Sequence, residues 1–192
     1  GKMCFVVGDV SGKGVAAGLF MAVTRTLIRA TAVPGRKPLE ILQRVNAQLC
    51  AENRANLFVT MILGILETAT GRMEYGQGGH NPPLLIPSQG EPVYEPSGGM
   101  PLGVFEDAKF GQRQLELKVG QTLLVYTDGV TEAMNPAREL FGEERFKRSV
   151  QGQAQLSPEE LTQRVVREVA KFARGAQPSD DITLLAIKHR NG

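Results

Sequence analysis

The 192-residue sequence has no tryptophan, two cysteines and two histidines. Cys4 and Cys50 lie far apart in apolar stretches, so neither a disulfide framework nor a Cys-x-x-Cys zinc or redox site can be built, and a reducing, cytoplasmic setting is expected. With only His80 and His189 besides, any metal chemistry must rest on carboxylates, which favours Mg²⁺ or Mn²⁺ over zinc. An excess of one charge is missing as well: Lys and Arg number 22 against 20 Asp and Glu, for a net charge of +2. Without a basic run this excludes a nucleic acid bound mainly through charge. No stretch approaches the ~18 consecutive apolar residues that span a bilayer, so direct membrane insertion of this segment is not expected. The chain also lacks a Gly-x-Ser-x-Gly nucleophile elbow and a Walker A loop: Gly8 and Gly12 are too close, and Lys13 is followed by Gly14.

What is present is 42% hydrophobic and 22% charged residues, enough for one folded domain over 1–192 with a real core. A strand is expected at Met3 to Val7, with no lead-in, as in a piece that begins inside a domain. A glycine loop follows, then a mostly covered helix from Val15 to Ala32 with Arg25 and Arg29 on its wetter edge. Pro34-Gly35 ends it. A second helix runs from Pro38 to Glu52, with Leu39, Leu42, Val45 and Leu49 at spacings of three and four. Strand texture then takes over at 57–66, 72–76, 84–86, 93–95, 110–117 and 121–127. Helices are expected at 138–151 and 158–174, the latter opened by Ser157 and Glu160 in capping-box spacing, before a last strand at 182–187. Runs segregated in this way argue for an α+β fold with antiparallel sheet covered by helices.

Acids recur in one context. Asp9 ends an apolar run, Asp128 ends Leu-Leu-Val-Tyr-Thr, and Asp180 and Asp181 precede Ile-Thr-Leu-Leu-Ala-Ile. Each is either an ordinary turn or capping aspartate, or one of a set brought to one edge, where mutual repulsion would call for a cation. Gly8, Gly12 and Gly14 suit either a plain strand-to-helix turn or a backbone that approaches a ligand.

Six strings, in this order, resemble the metal-dependent protein serine/threonine phosphatases of the 2C type, and more closely the bacterial branch typified by stage II sporulation protein E. They are Gly8-Asp-Val-Ser-Gly-Lys-Gly14, Asn56-Leu-Phe-Val-Thr60, Gly78-Gly-His-Asn-Pro-Pro83, Met100-Pro-Leu-Gly-Val104, Tyr126-Thr-Asp-Gly-Val-Thr-Glu132 and Ser179-Asp-Asp-Ile-Thr-Leu-Leu185. The resemblance spans nearly the whole chain. It implies an antiparallel β-sandwich flanked by helices and two Mn²⁺ or Mg²⁺ ions at one edge. Carried over by motif, Asp9 would bridge both ions, the backbone carbonyl of Val10 would bind one, and Asp128 with Asp180 would complete the other, with Asp181 a further ligand candidate. The implied reaction is hydrolysis of phosphoserine or phosphothreonine by a water bridging the ions. The implied substrate is a sulfate-transporter-and-antisigma (STAS) domain protein that antagonises an anti-sigma factor.

Two departures from the pattern stand out. Ser11 occupies a position that is His in eukaryotic relatives, which leaves the general acid unassigned, and the family's first strand pair, with its Gly-Gly-Asp string, is absent. Ser11, Gly12, Gly14 and His80 remain loop or substrate candidates, with His80 either a scaffold residue or a catalyst. The resemblance further implies an upstream sensor or receiver domain, with the first two helices relaying its signal or forming a homodimer contact. The alternative is a catalytically weak binding module of the same fold that recognises a phosphorylated partner.

Overall fold

A computed structural model describes residues 1–177 and 180–190; Pro178, Ser179, Asn191 and Gly192 lie outside the described residues, and with them the first residue of the sixth string. The elements in chain order are β1 (Lys2–Val10), α1 (Val15–Thr31), α2 (Pro38–Glu52), β2 (Val59–Glu67), β3 (Arg72–Gly78), β4 (Leu84–Ile86), β5 (Val93–Tyr94), β6 (Gly111–Glu116), β7 (Thr122–Tyr126), α3 (Gly142–Val150), α4 (Pro158–Ala173) and β8 (Leu184–Lys188). They form two compact units, each drawn from separate stretches of chain: residues 1–80 with 97–116, and 81–96 with 117 onward. The fold class is the expected one, α+β with antiparallel sheets and helices.

The first unit holds the sheet β1-β2-β3-β6. β1 and β2 pair antiparallel from Lys2↔Glu67 to Val10↔Val59, although α1 and α2 intervene in sequence. β2 is apolar along most of its length and buried accordingly, while β1 buries only Phe5 and Val7. α2 places Ile41, Leu42, Val45 and Leu49 in one core with Val59, Met61, Leu63 and Leu102. Each such side chain contributes roughly 1.5–3 kcal/mol when fully buried.

α1 departs from expectation. Its buried residues are Ala17, Thr24, Ile28 and Thr31, whereas Val15 is 81%, Leu19 63% and Val23 51% exposed. Small residues at 17 and 24 let the helix lie close on that line, which turns the larger i, i+4, i+8 stripe outward.

The second unit holds the sheet β5-β4-β7-β8. Leu84, Ile86, Leu124 and Tyr126 share a core with Phe146, Val150, Leu161, Val165 and Val169 from the two helices. Tyr126 and Phe146 meet edge to face at 4.6 Å. Lys188 Nζ donates to the carbonyls of Ala154 (2.5 Å) and Leu156 (2.9 Å), tying β8 to the α3–α4 connection.

α3 is shorter than the expected helix at 138–151. Arg138 sits at φ 62° and Gly142 at φ 74°, and Asn135 Oδ1 accepts from the N–H groups of Ala137 and Glu139 at 3.0 Å each, so residues 135–141 form a turn. β8 begins at Leu184 rather than Ile182. Among the described residues no helix is long and apolar enough to cross a membrane.

Candidate metal centre

In the first unit, Asp9 and Val10 are the last two residues of β1, paired with Thr60 and Val59. The strand therefore runs through the acid instead of stopping before it. Ser11 closes the end: its N–H donates to the Phe58 carbonyl at 2.8 Å, and its hydroxyl accepts from the Phe58 N–H at 2.9 Å. Gly12 (φ 80°) and Gly14 (φ 85°) then turn the backbone through the left-handed region into α1, which accounts for both glycines by the turn alone.

Thr60 joins Asp9 to His80. Its hydroxyl lies 3.5 Å from the Asp9 carbonyl oxygen and 3.0 Å from His80 Nδ1. One hydroxyl can serve both, donating to the carbonyl and accepting from the ring when Nδ1 carries the imidazole proton. His80 is 2% exposed, and this geometry gives it a part in holding the end of β1.

Four of the six sequence strings contribute residues to this unit. Val59 and Leu102 exchange backbone hydrogen bonds at 3.0 and 2.9 Å, and the Gly79 N–H donates to the Gly98 carbonyl. Asn53 Nδ2 reaches the carbonyls of Leu57 and Gly103, while Asn46 Oδ1 accepts from the Gly103 N–H at 2.8 Å. Buried Asn46 and half-buried Asn53 thus hold the loop at 100–104 against the strand that pairs with Asp9.

In the second unit, Asp128 stands at the mouth of β7, whose five residues are all buried. The Asp128 carbonyl accepts from the Glu132 N–H (2.7 Å) and the Thr131 hydroxyl (3.3 Å), which locks its backbone in a tight turn. Thr127 makes the lateral link: its hydroxyl donates to the Asp181 carbonyl at 3.1 Å and accepts from the Thr183 N–H at 2.9 Å. Gly129 is required for this approach, since a Cβ there would strike the Asp181 carbonyl. Two acidic stretches some fifty residues apart are thereby set side by side, with Asp180 Oδ1 accepting from the Asp181 N–H at 2.9 Å.

The side chain of Asp128 is less well served than its backbone: Oδ1 is buried and has no hydrogen-bond partner among the described residues. A buried carboxylate oxygen without a donor is costly unless a cation supplies the missing charge. Within each unit the candidate donors are oxygen alone, the Asp9 carboxylate and Val10 carbonyl in the first and the Asp128, Asp180 and Asp181 carboxylates in the second, which suits a hard divalent ion. The residues therefore fit a metal of the Mg²⁺ or Mn²⁺ kind. Among the described residues, no three His, Cys, Asp or Glu side chains cluster tightly enough to hold an ion as they stand. Thr60 and Thr127 had no role in the sequence reading; the signal for both was a lone threonine inside or beside a buried apolar run.

The stage II sporulation protein E family model matches residues 1–190. IcfG of Synechocystis sp. (strain ATCC 27184 / PCC 6803 / Kazusa) is 28% identical over 216 residues, taking in 98% of this chain and 34% of that protein. The phosphoserine phosphatase RsbU of Bacillus subtilis (strain 168) is 23% identical over 185 residues, 96% of this chain and 55% of that protein. The crystal structure of the RsbU and RsbW domains of Rv1364c from Mycobacterium tuberculosis matches with a TM-score of 0.80 at 31% identity, covering 98% of this chain and 52% of that chain. The chain thus spans between a third and just over half of these proteins. With the family pattern matched almost from end to end on the same fold, the chain belongs to the stage II sporulation protein E (SpoIIE) family.

Proposed function

We propose that residues 1–192 form a single phosphatase domain, cytoplasmic in setting, that hydrolyses phosphoserine or phosphothreonine on a regulatory protein. The observation that carries this reading is the buried, donorless Oδ1 of Asp128, set beside Asp180 and Asp181 by Gly129 and Thr127. The name of the relative RsbU, phosphoserine phosphatase, supports the substrate chemistry.

Two Mn²⁺ or Mg²⁺ ions would be held by Asp9, the Val10 carbonyl, Asp128 and Asp180, with Asp181 adjoining. When bound, such ions acidify water and offset charge on phosphoryl oxygens. The chain's own part is to fix the ligands. β1–β2 pairing and Thr60 hold Asp9, the 128–132 turn holds Asp128, and the Asp181 N–H orients the Asp180 carboxylate. Water's oxygen bonds to phosphorus as the bond from phosphorus to the seryl or threonyl oxygen breaks; that oxygen takes up a proton, leaving the side-chain hydroxyl on the protein and releasing inorganic phosphate. The substrate fitting the family resemblance is a STAS-domain antagonist of an anti-sigma factor. The exposed α1 stripe of Val15, Leu19 and Val23 suits contact with an upstream sensor or receiver domain, or a homodimer.

A second reading, a binding module that recognises a phosphorylated partner without turning it over, is favoured by Ser11, which stands where the eukaryotic relatives carry His and leaves the general acid unassigned. One experiment separates the two. The chain is freed of metal, titrated with Mn²⁺ and assayed on a phosphorylated STAS protein. Phosphate release that returns with metal, and falls by about 10²-fold or more in Asp128→Asn at unchanged circular dichroism, supports the phosphatase. Binding without release supports the module, and full turnover by Asp128→Asn rejects the site.

A further inference from the structure

The second unit has a feature that this reading leaves unused. α3 and α4 pack together, and with the turn at 135–141 they border an open cleft of about 840 Å³. Its rim is cationic. Arg145 and Arg148 lie one turn apart on α3, Arg164 and Lys171 two turns apart on α4, and Arg174 follows at the α4 C-cap. Only Glu139 and Glu168 oppose them in the lining, and Glu139 already accepts from Asn135 Nδ2 at 2.7 Å. The other acids of these helices, Glu143, Glu144, Glu159 and Glu160, sit in first turns, where they complement the helix dipole.

The guanidinium groups are anchored without being neutralised. Arg145 Nη1 donates to the carbonyls of Leu140 (2.9 Å) and Phe141 (3.3 Å), Arg148 Nε to that of Glu144 (3.3 Å), and Arg164 Nε to that of Ser149 (2.7 Å). A carbonyl fixes the position of an arginine but leaves its charge and most of its five N–H donors available. Among the described residues none of the five rim cations makes an ion pair. The lining also has an aromatic element: Phe141 and Phe172 meet edge to face at 5.5 Å, and Arg145 lies 4.8 Å over the Phe172 ring.

We propose that this cleft docks a carboxylate-rich segment of a partner protein that also carries a large apolar side chain. Cations spaced in helical steps of roughly 5–6 Å match a row of carboxylates better than one compact anion. Phe172, part-buried with Phe141 behind it in the core, offers a contact to an apolar anchor of the kind that dominates protein interfaces. A net charge of +2 without a basic run gives no comparable field for a nucleic-acid duplex.

The test is independent of phosphatase activity, because it reads binding. A fluorescein-labelled peptide alternating Glu with Leu and ending in Phe is titrated with the full chain by fluorescence anisotropy. Alongside it are run the same peptide with Gln for Glu, a poly-Glu peptide, a DNA duplex and phosphatidylserine vesicles. Saturable binding of the acidic apolar peptide is expected, weakened by salt and weakened about tenfold by Arg145→Glu and by Lys171→Glu. Lys171 is exposed, so its variant remains decisive if Arg145→Glu melts early by circular dichroism. Unchanged affinity in Lys171→Glu, or equal binding of the Gln peptide, poly-Glu, the duplex or the vesicles, would overturn the proposal.

Discussion

Thr60 faces two partners with one hydroxyl, the Asp9 carbonyl and the His80 ring. Removing that oxygen in Thr60→Val takes a hydrogen bond from the buried His80 ring, which costs about 0.5–1.5 kcal/mol and should lower the melting temperature; Thr60→Ser should restore most of it. Gly129→Ala is expected to be worse than its size suggests. The added methyl meets the Asp181 backbone and must push residues 180–181 away from Asp128, so a loss of about 1–3 kcal/mol should come with weaker Mn²⁺ affinity by calorimetry. The placement of the acids beside strand ends was legible in the sequence because each closes or opens an apolar run, while a ligand role for them came only with the family resemblance. Thr60 and Thr127 were not, because a threonine beside valines and leucines reads as any β-branched strand residue. Likewise no string of letters reveals that Oδ1 of Asp128 lacks a donor, since that depends on what the fold leaves out of reach.

At the level of elements, the start of α4 was fully readable. Ser157 Oγ accepts from the Glu160 N–H at 3.2 Å, and the Glu160 carboxylate accepts from the Ser157 N–H at 2.8 Å. Ser157→Ala should cost about 1 kcal/mol in thermal or urea unfolding. The Ser157 backbone N–H holds the Glu160 carboxyl below the usual carboxylate range, with the Ser157 side chain second. A lowered folded pKa stabilises above the unfolded value and is lost as pH falls through the folded one. The melting temperatures of wild type and Glu160→Ala should therefore differ at neutral pH and converge on acidification. α3 was begun too early because the proline-free run Arg138-Glu-Leu-Phe141 looked helical, whereas Arg138 and Gly142 both take positive φ and delay its start to Gly142. Strand positions could be read from texture. The pairing of β1 with β2 across two helices could not, since register arises from long-range contacts.

For the whole molecule, chain connectivity matters more than either unit's composition. The backbone passes from one unit to the other at 80–81, returns at 96–97 and leaves again at 116–117. A fragment ending at Glu116 would keep β4 and β5 but lose β7, which pairs with β4, and so expose Leu84 and Ile86. Such a fragment should bind a hydrophobic dye and elute as aggregate in size-exclusion chromatography, where the full chain does not. The same interleaving constrains inheritance. Each single cut leaves material of both units on at least one side, so neither half can be traded between genes as a self-contained cassette. The stretch bearing Asp9 and the stretch bearing Asp128 and Asp180 must travel together, and a lineage that fuses this family to new sensors can do so at the ends of the sequence more readily than within it.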